Sequence, residues 1–309
     1  MSQHHQARWG LFQICLAGVL WGTGGLGVQL IRRHEPMSVV TISAWRMLLA
    51  AIVLVTVVLA LRHVPAVRAL LRVHPWRVVA VGTGTALYQA CYFGSVVAIG
   101  VTVSTVVSLG LAPVLLTVLD AVRVRRRPAT GRLLVLAAAL AGLLLVSVTS
   151  GSGTTGPHPT LGVLLAVGSG TAYAVATDLG RPVAQVAGPL ALTTTTTTIG
   201  TLFLAPFGLV AALGPDRLVT TDPAAVTGLV YLGVMTMALA YGLLYAGLRT
   251  TTGSSAVIAT LLEPVTAAVA AALILDERLG TLGVAGTLLI LAAVAGLGGE
   301  EEPVSVPPP

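Results

Sequence analysis

The chain contains no lysine: all 17 of its Lys+Arg residues are arginine. Charge of either sign is scarce, at 9% of residues, where a soluble domain carries about 25%. Water is therefore excluded as the solvent for most of this surface. The net charge of +6 does not point to nucleic acid, because no soluble domain is present to carry a basic face. The arginine-only usage, with the Ala, Gly, Val and Leu richness, reads as codon bias. Cysteine is nearly absent. Cys15 and Cys91 both lie in apolar runs, which excludes a disulfide framework and argues against a metal cluster. The six histidines (His4, His5, His34, His63, His74 and His158) fall in tails and joints. That removes the usual general base and metal ligand from any apolar core. No nucleophile–base constellation is visible, so an intramembrane enzyme ranks well below a carrier, and no metal, cofactor or catalytic residue is expected. A channel ranks third, since no ring of charge or filter-like loop is present.

What is abundant is apolar: 55% of the 309 residues, with a mean hydropathy of +0.93. Runs this long and continuous do not alternate as barrel strands do, so spanning helices must satisfy the backbone. A span needs about 20 apolar residues. That rule gives segments near 11–31, 38–61, 78–99, 101–122 and 132–149, then 161–180, 189–212, 224–248, 253–275 and 281–298. The first is too long for a signal sequence and has no small-residue cleavage site after it, so it is expected to be retained. Cys15 follows Gln13-Ile14, which is no lipoprotein box. Residues 150–160, rich in Gly, Ser, Thr and Pro, read as a linker. Residues 299–309, with three glutamates and then prolines, have nothing to bury and read as a disordered cytoplasmic tail.

Arginine fixes an expected orientation. With residues 1–10 in the cytoplasm, the inner segments hold Arg8, Arg62, Arg68, Arg72, Arg77, Arg123, Arg125, Arg126, Arg127, Arg132, Arg181 and Arg249. Outside fall Arg32, Arg33, Arg217 and Arg278, and Arg46 lies within a span. The bias puts both termini inside, and the membrane expected is the inner membrane of a bacterium. The halves 11–149 and 161–298 look related. Aligning Pro113 with Pro264 brings Ser104 onto Ser255 and Arg127 onto Arg278, while Trp21 stands opposite Tyr173. Five spans per half, an odd number, turn the second half upside down. The fold expected is an all-α integral membrane protein with ten transmembrane helices in two inverted five-helix repeats, a common transporter plan.

Several motifs then carry a resemblance. Leu248 to Ala256 (Leu-Arg-Thr-Thr-Thr-Gly-Ser-Ser-Ala), Leu262-Glu263-Pro264-Val265 and Leu275-Asp276-Glu277-Arg278-Leu279 resemble the second repeat of an EamA-type member of the drug/metabolite transporter superfamily. Gly18-Val19-Leu20-Trp21-Gly22, Ser43-Ala44-Trp45-Arg46 and Leu111-Ala112-Pro113-Val114 are similar to its first repeat. The resemblance covers nearly the whole chain. It implies two inverted repeats, a central cavity and secondary transport of small metabolites, often outward. One departure is plain: the acidic turn often ending the fourth helix of the first repeat is Arg125-Arg126-Arg127 here. Any role of that turn falls to Glu277.

Charges inside the membrane are expensive and are functional candidates by default. Glu263 lies roughly 15 Å into its span at ~1.5 Å per residue. It is a candidate to carry a coupling proton or meet a cationic substrate group; the alternative is a structural carboxylate. Arg46 lies roughly 12 Å into its own span on the same count. Its planar fork of donors suits a substrate carboxylate. Pairing with Glu263 and snorkelling to the interface are its alternatives. Pro113 and Pro264 are expected to break their helices, loosening the carbonyls of Leu109 and Thr260; kinks that only aid packing are the other reading. Tyr88 and Tyr92, like Tyr241 and Tyr245, are four apart and share a helix face. With Trp21 and Tyr173 they form the candidate substrate-binding aromatics, against an interfacial-belt reading that is strongest for Tyr241 and Tyr245. Thr193 to Thr198 reads as low-complexity filler rather than a hydroxyl-lined wall. Asp120 with Arg123, and Asp178 with Arg181, read as interfacial pairs within one helix. The expected partners are a small-molecule substrate, the lipid bilayer and a coupling proton. A homodimer through Gly18 and Gly22 is conceivable, although small residues also pack helices within one chain.

Overall fold

The computed structural model describes residues 3–150, 158–212, 218–274 and 280–300, and among them every regular element is a helix. The linker residues 151–157, the turn with Glu277 and the tail from 301 onward lie outside the described residues. In the first half come α1 (Gln3–Gly22), α2 (Gly24–His34), α3 (Val39–Ala60), α4 (Val64–Val73), α5 (Pro75–Ile99), α6 (Val101–Val124) and α7 (Thr130–Ser150). The second half holds α8 (Pro159–Val186), α9 (Pro189–Ala212), α10 (Pro223–Tyr231), α11 (Ala240–Gly247), α12 (Gly253–Ala259), α13 (Leu262–Ile274) and α14 (Thr281–Glu300), with a π-helical segment, Leu232–Leu239, between α10 and α11.

Local chemistry marks the helix starts. Ser38, Asp222 and Thr252 each accept a hydrogen bond from the backbone N–H three residues on, satisfying a donor that the first turn cannot. Pro75, Pro159 and Pro223 occupy the first turns of α5, α8 and α10, where a missing N–H costs nothing. Gly100, at φ 87°, makes the sharp joint between α5 and α6, a backbone conformation that a Cβ would strain.

Eight helical stretches among the described residues are long and apolar enough to cross a membrane. α5 matches them in length, at 25 residues, but carries Thr83, Thr85, Gln89 and Ser95 among its apolar residues. The apolar run of α14 covers Thr281–Leu297. Large apolar side chains stand exposed around the bundle, Leu59, Leu164, Leu202 and Leu273 among them, as a lipid-facing surface requires. The main core fills the seam between the halves, with Ile14, Met47, Leu143, Leu192, Met237, Ile258 and Leu261 almost fully buried. The halves exchange like contacts: α1 packs on α11 and α8 on α5, while α3 meets α9 and α7 meets α14.

Several elements depart from the sequence expectation. The first span is two helices, α1 and α2, interrupted at Thr23. Its hydroxyl bonds the Leu20 carbonyl and the Tyr231 hydroxyl, each at 2.6 Å. Between the second and third spans lies the amphipathic α4, with Leu70 buried and Arg68 and Arg72 exposed. α6 runs through Pro113 without a break, so the expected helix break there is corrected. The second-half counterpart is interrupted, but at Thr260–Leu261, just before Pro264. Pro264 itself sits in the first turn of α13, where proline is tolerated. Gly18 and Gly22 are spent inside the chain: a Cβ at Gly22 would meet the Glu263 carbonyl at 2.4 Å, and one at Gly18 the Thr260 carbonyl at 3.2 Å. They bring α1 against the interruption between α12 and α13.

Candidate functional site

Where the interrupted helices meet, the packing leaves a cavity of about 360 Å³, within the range of about 300–1,000 Å³ usual for small-molecule sites. Trp21, Arg46, Tyr88, Tyr92, Tyr173, Tyr241, Glu263 and Pro264 all border it. Tyr245 and Pro113 do not. The cavity runs from Tyr241 and Glu263 at mid-depth to Val28, Val39 and Val96, so its mouth lies at the end of the bundle where α2 joins α3 and α5 joins α6.

Aromatic rings shape the walls and floor. Trp21 meets Tyr241 edge-on at 5.1 Å, and Tyr88 packs on Tyr173 at 5.1 Å and on Tyr92 at 6.3 Å. Tyr173 and Tyr241 also border a second void of about 10 Å³ with Thr85, Thr177 and Tyr245. These two rings thus form the floor between the main cavity and the far end. The Tyr173 hydroxyl shares a hydrogen bond of 3.1 Å with Thr260 Oγ1 at the α12–α13 interruption, and the Tyr92 hydroxyl one of 2.9 Å with Thr105.

The two intramembrane charges enter from opposite halves. Arg46 comes from α3, and one of its terminal nitrogens donates to the Thr236 carbonyl at 3.0 Å. Thr236 belongs to the π segment, whose altered bonding leaves carbonyls open to such donors. Arg46 Nε is buried with no hydrogen-bond partner. Glu263 stands in the first turn of α13, where the positive end of the helix dipole favours an acid. The one ion pair recorded among the described residues is Arg123–Asp178. Arg46 and Glu263 therefore share a cavity without bonding each other.

Residues not singled out in the sequence join them. Gln89 is 4% exposed, its amide nitrogen reaches only Met47 Sδ at 3.5 Å, and its carbonyl oxygen has no partner. Trp21 Nε1 and Ser147 Oγ are likewise buried and unpaired, and all line the cavity. Buried polar atoms are normally hydrogen-bonded. A cluster of unpaired donors and acceptors around one cavity is the pattern of a site that a polar ligand completes. Gln89 had a sequence signal, an amide between two tyrosines within a span. By contrast, the threonine run takes no part: Thr193, Thr194, Thr195, Thr196 and Thr198 bond carbonyls of their own helix, and none borders the main cavity.

At the end opposite the mouth the charges are arranged differently from the within-helix pairs expected. Arg123 forks onto Asp178 of α8 at 2.5 and 2.8 Å. Asp120 accepts from Ser254 at 2.7 Å, and Arg181 Nε donates to the Thr251 carbonyl at 2.9 Å. Partners on other elements, two of them helices and one the turn before α12, replace those three residues away.

Comparison with known proteins agrees with this architecture. The model of the EamA-like transporter family matches residues 8–148 and 160–299, one match in each half. A Bacillus subtilis (strain 168) protein called "Uncharacterized transporter YwfM" is 28% identical over 290 residues, covering 91% of this chain and 93% of that protein. A solved structure described as "Crystal structure of protein" superposes with a TM-score of 0.75 at 19% identity, over 93% of this chain and 95% of its own; that likeness bears on the fold alone. With two family matches spanning both halves and a multi-pass helical bundle around a central cavity, the chain belongs to the EamA-like transporter family, within the drug/metabolite transporter superfamily.

Proposed function

We propose that the chain is a secondary active carrier of a bacterial inner membrane. It crosses ten times as two inverted five-helix repeats with both termini in the cytoplasm, and exports a small polar metabolite such as an amino acid by alternating access. The observation carrying this reading is that Arg46 and Glu263 border one aromatic-walled cavity between the halves without bonding each other. Arg46 and Trp21 Nε1 present donors to a carboxylate. Glu263 and Gln89 Oε1 present acceptors to an amine, and the rings cover the apolar remainder. Glu263 carries the coupling proton, since protonation removes the cost of a charge at this depth. The arginine-rich end, opposite the mouth, faces the cytoplasm.

The reading is tested by comparing extracellular metabolites from cells expressing the chain, its Glu263→Gln form, or neither. A compound accumulating outside only with the intact chain names a substrate and gives Glu263 its role. Equal accumulation from both forms keeps the carrier and makes Glu263 structural. No difference from empty cells removes the export reading.

A further inference from the structure

No acidic residue occurs between Glu35 and Asp120, yet Arg62, Arg68, Arg72 and Arg77 crowd into one short part of that stretch. Its centre is α4, set between the end of the spanning helix α3 and the start of α5. Val67 and Leu70 turn one face of α4 into the core, where the helix packs on α9 and α5. Arg68 and Arg72 are four residues apart, so they are neighbours on another face, and both are exposed. Apolar side chains stand exposed beside them: Leu71 and Val73 on α4, and Trp76 at the start of α5.

These charges have no counter-charge within the fold. The side chains of Arg62, Arg68 and Arg72 form no hydrogen bond or ion pair among the described residues, and Arg77 has only the Trp76 ring, 5.4 Å from its guanidinium carbon. Asp120 and Asp178, acids at the same end of the bundle, are engaged by Ser254 and Arg123. Arg62 holds φ 56°, a conformation that glycine usually supplies. The chain has 35 glycines and still keeps a cation there. The dipole of α3 favours a cation at that helix end, but it does not account for Arg68 in the middle of α4. Arginines beside exposed apolar side chains on a short helix are the pattern of an element lying in the membrane interface, where a tryptophan ring sits at headgroup level.

We propose that α4 lies in the plane of the bilayer surface and that Arg68 and Arg72, flanked by Arg62 and Arg77, bind the phosphate headgroup of an anionic phospholipid. Each guanidinium offers a planar fork that suits two phosphate oxygens. Leu71, Val73 and Trp76 meet the acyl boundary beneath the headgroup, a contact that a soluble anion does not supply. The occupant is therefore a lipid rather than free phosphate. The inference needs only a membrane-spanning bundle and stands apart from the transport reading.

The test is native mass spectrometry of the purified intact chain, titrated with phosphatidylglycerol and with phosphatidylcholine of the same acyl chains. Arg68→Gln with Arg72→Gln should weaken the tightest phosphatidylglycerol site about thirtyfold and leave phosphatidylcholine binding unchanged. Arg32→Gln with Arg33→Gln removes the same charge from exposed residues at the mouth end and should leave that site as it was. Arg72→Gln alone, expected to weaken it about fivefold, answers the question if the double variant does not fold. Unchanged affinity in the α4 variants, or an equal loss in the mouth variant, overturns the site. Displacement of the lipid by an equal concentration of inorganic phosphate would make it a site for a soluble anion and overturn it too. So would tighter phosphatidylglycerol binding after Glu301→Gln with Glu302→Gln, which would give this face to the chain's own acidic tail.

Discussion

Arg46 and Glu263 border one cavity yet do not bond each other; Arg46 is held by the Thr236 carbonyl at 3.0 Å instead. Breaking a bonded pair of buried charges to admit substrate would leave each to be compensated anew. Here the arginine is oriented by a backbone oxygen from the π segment, with Nε still unpaired. The base is preset for an anionic group, and the acid across the cavity stays available to a proton or an amine.

Replacing Arg46 tests that orientation. Arg46→Lys keeps the charge but loses the planar fork. Uptake into everted vesicles should fall by on the order of tenfold (about 1.4 kcal/mol) for substrates with a free carboxylate, and less for their methyl esters. Equal losses for acid and ester would make Arg46 structural.

Gln89 makes a sharper distinction between binding and stability. An unsatisfied buried acceptor costs about 1–3 kcal/mol, so Gln89→Leu should leave the melting temperature in detergent unchanged or raised. Its KM for amine-bearing substrates should rise about tenfold, equivalent to ~1.4 kcal/mol. A lowered melting temperature with unchanged KM would show that the amide serves packing.

Gly22 is the contact that places Glu263. A Cβ there meets the Glu263 carbonyl at 2.4 Å and Thr266 Cβ at 2.5 Å, and backbone cannot swing aside as a flexible side chain does. Gly22→Val should destabilise the protein by about 1–3 kcal/mol through overpacking and abolish transport. Normal melting and transport would mean that α1 does not set the position of α13.

The threonine run should be silent. Thr195 Oγ1 bonds the Ala191 carbonyl at 2.6 Å within its own helix, a contact that valine lacks and a helix does not need. Thr195→Val should retain wild-type transport and change stability by less than ~1 kcal/mol. Loss of transport would give the hydroxyls a role that the geometry does not.

Much of the fold was legible because lipid imposes one rule on the backbone, and apolar run length reports it directly. The interruption near Glu263-Pro264 was legible for a related reason: a charge and a proline in an apolar run are conspicuous. Pro113 was misleading, since a proline within a span does not by itself end a helix, and α6 runs through it. The interruption at Thr23 and the π segment at Leu232–Leu239 left no such mark. Both are matters of hydrogen-bond register, which the length of an apolar run does not report. The Arg123–Asp178 pair escaped the three-residue rule because its partner stands on another helix. α4 was hidden because ten amphipathic residues between two spans read as a joint.

The central claim is that Glu263 couples export to the proton gradient from a cavity it shares with Arg46. The direct measurement is transport by purified intact chain and by Glu263→Gln in proteoliposomes, with and without an imposed pH gradient, using the compound found outside expressing cells. The account predicts that the gradient accelerates the intact chain and that Glu263→Gln, still folded and still exchanging substrate, shows no acceleration. Full gradient-driven transport by Glu263→Gln would contradict it.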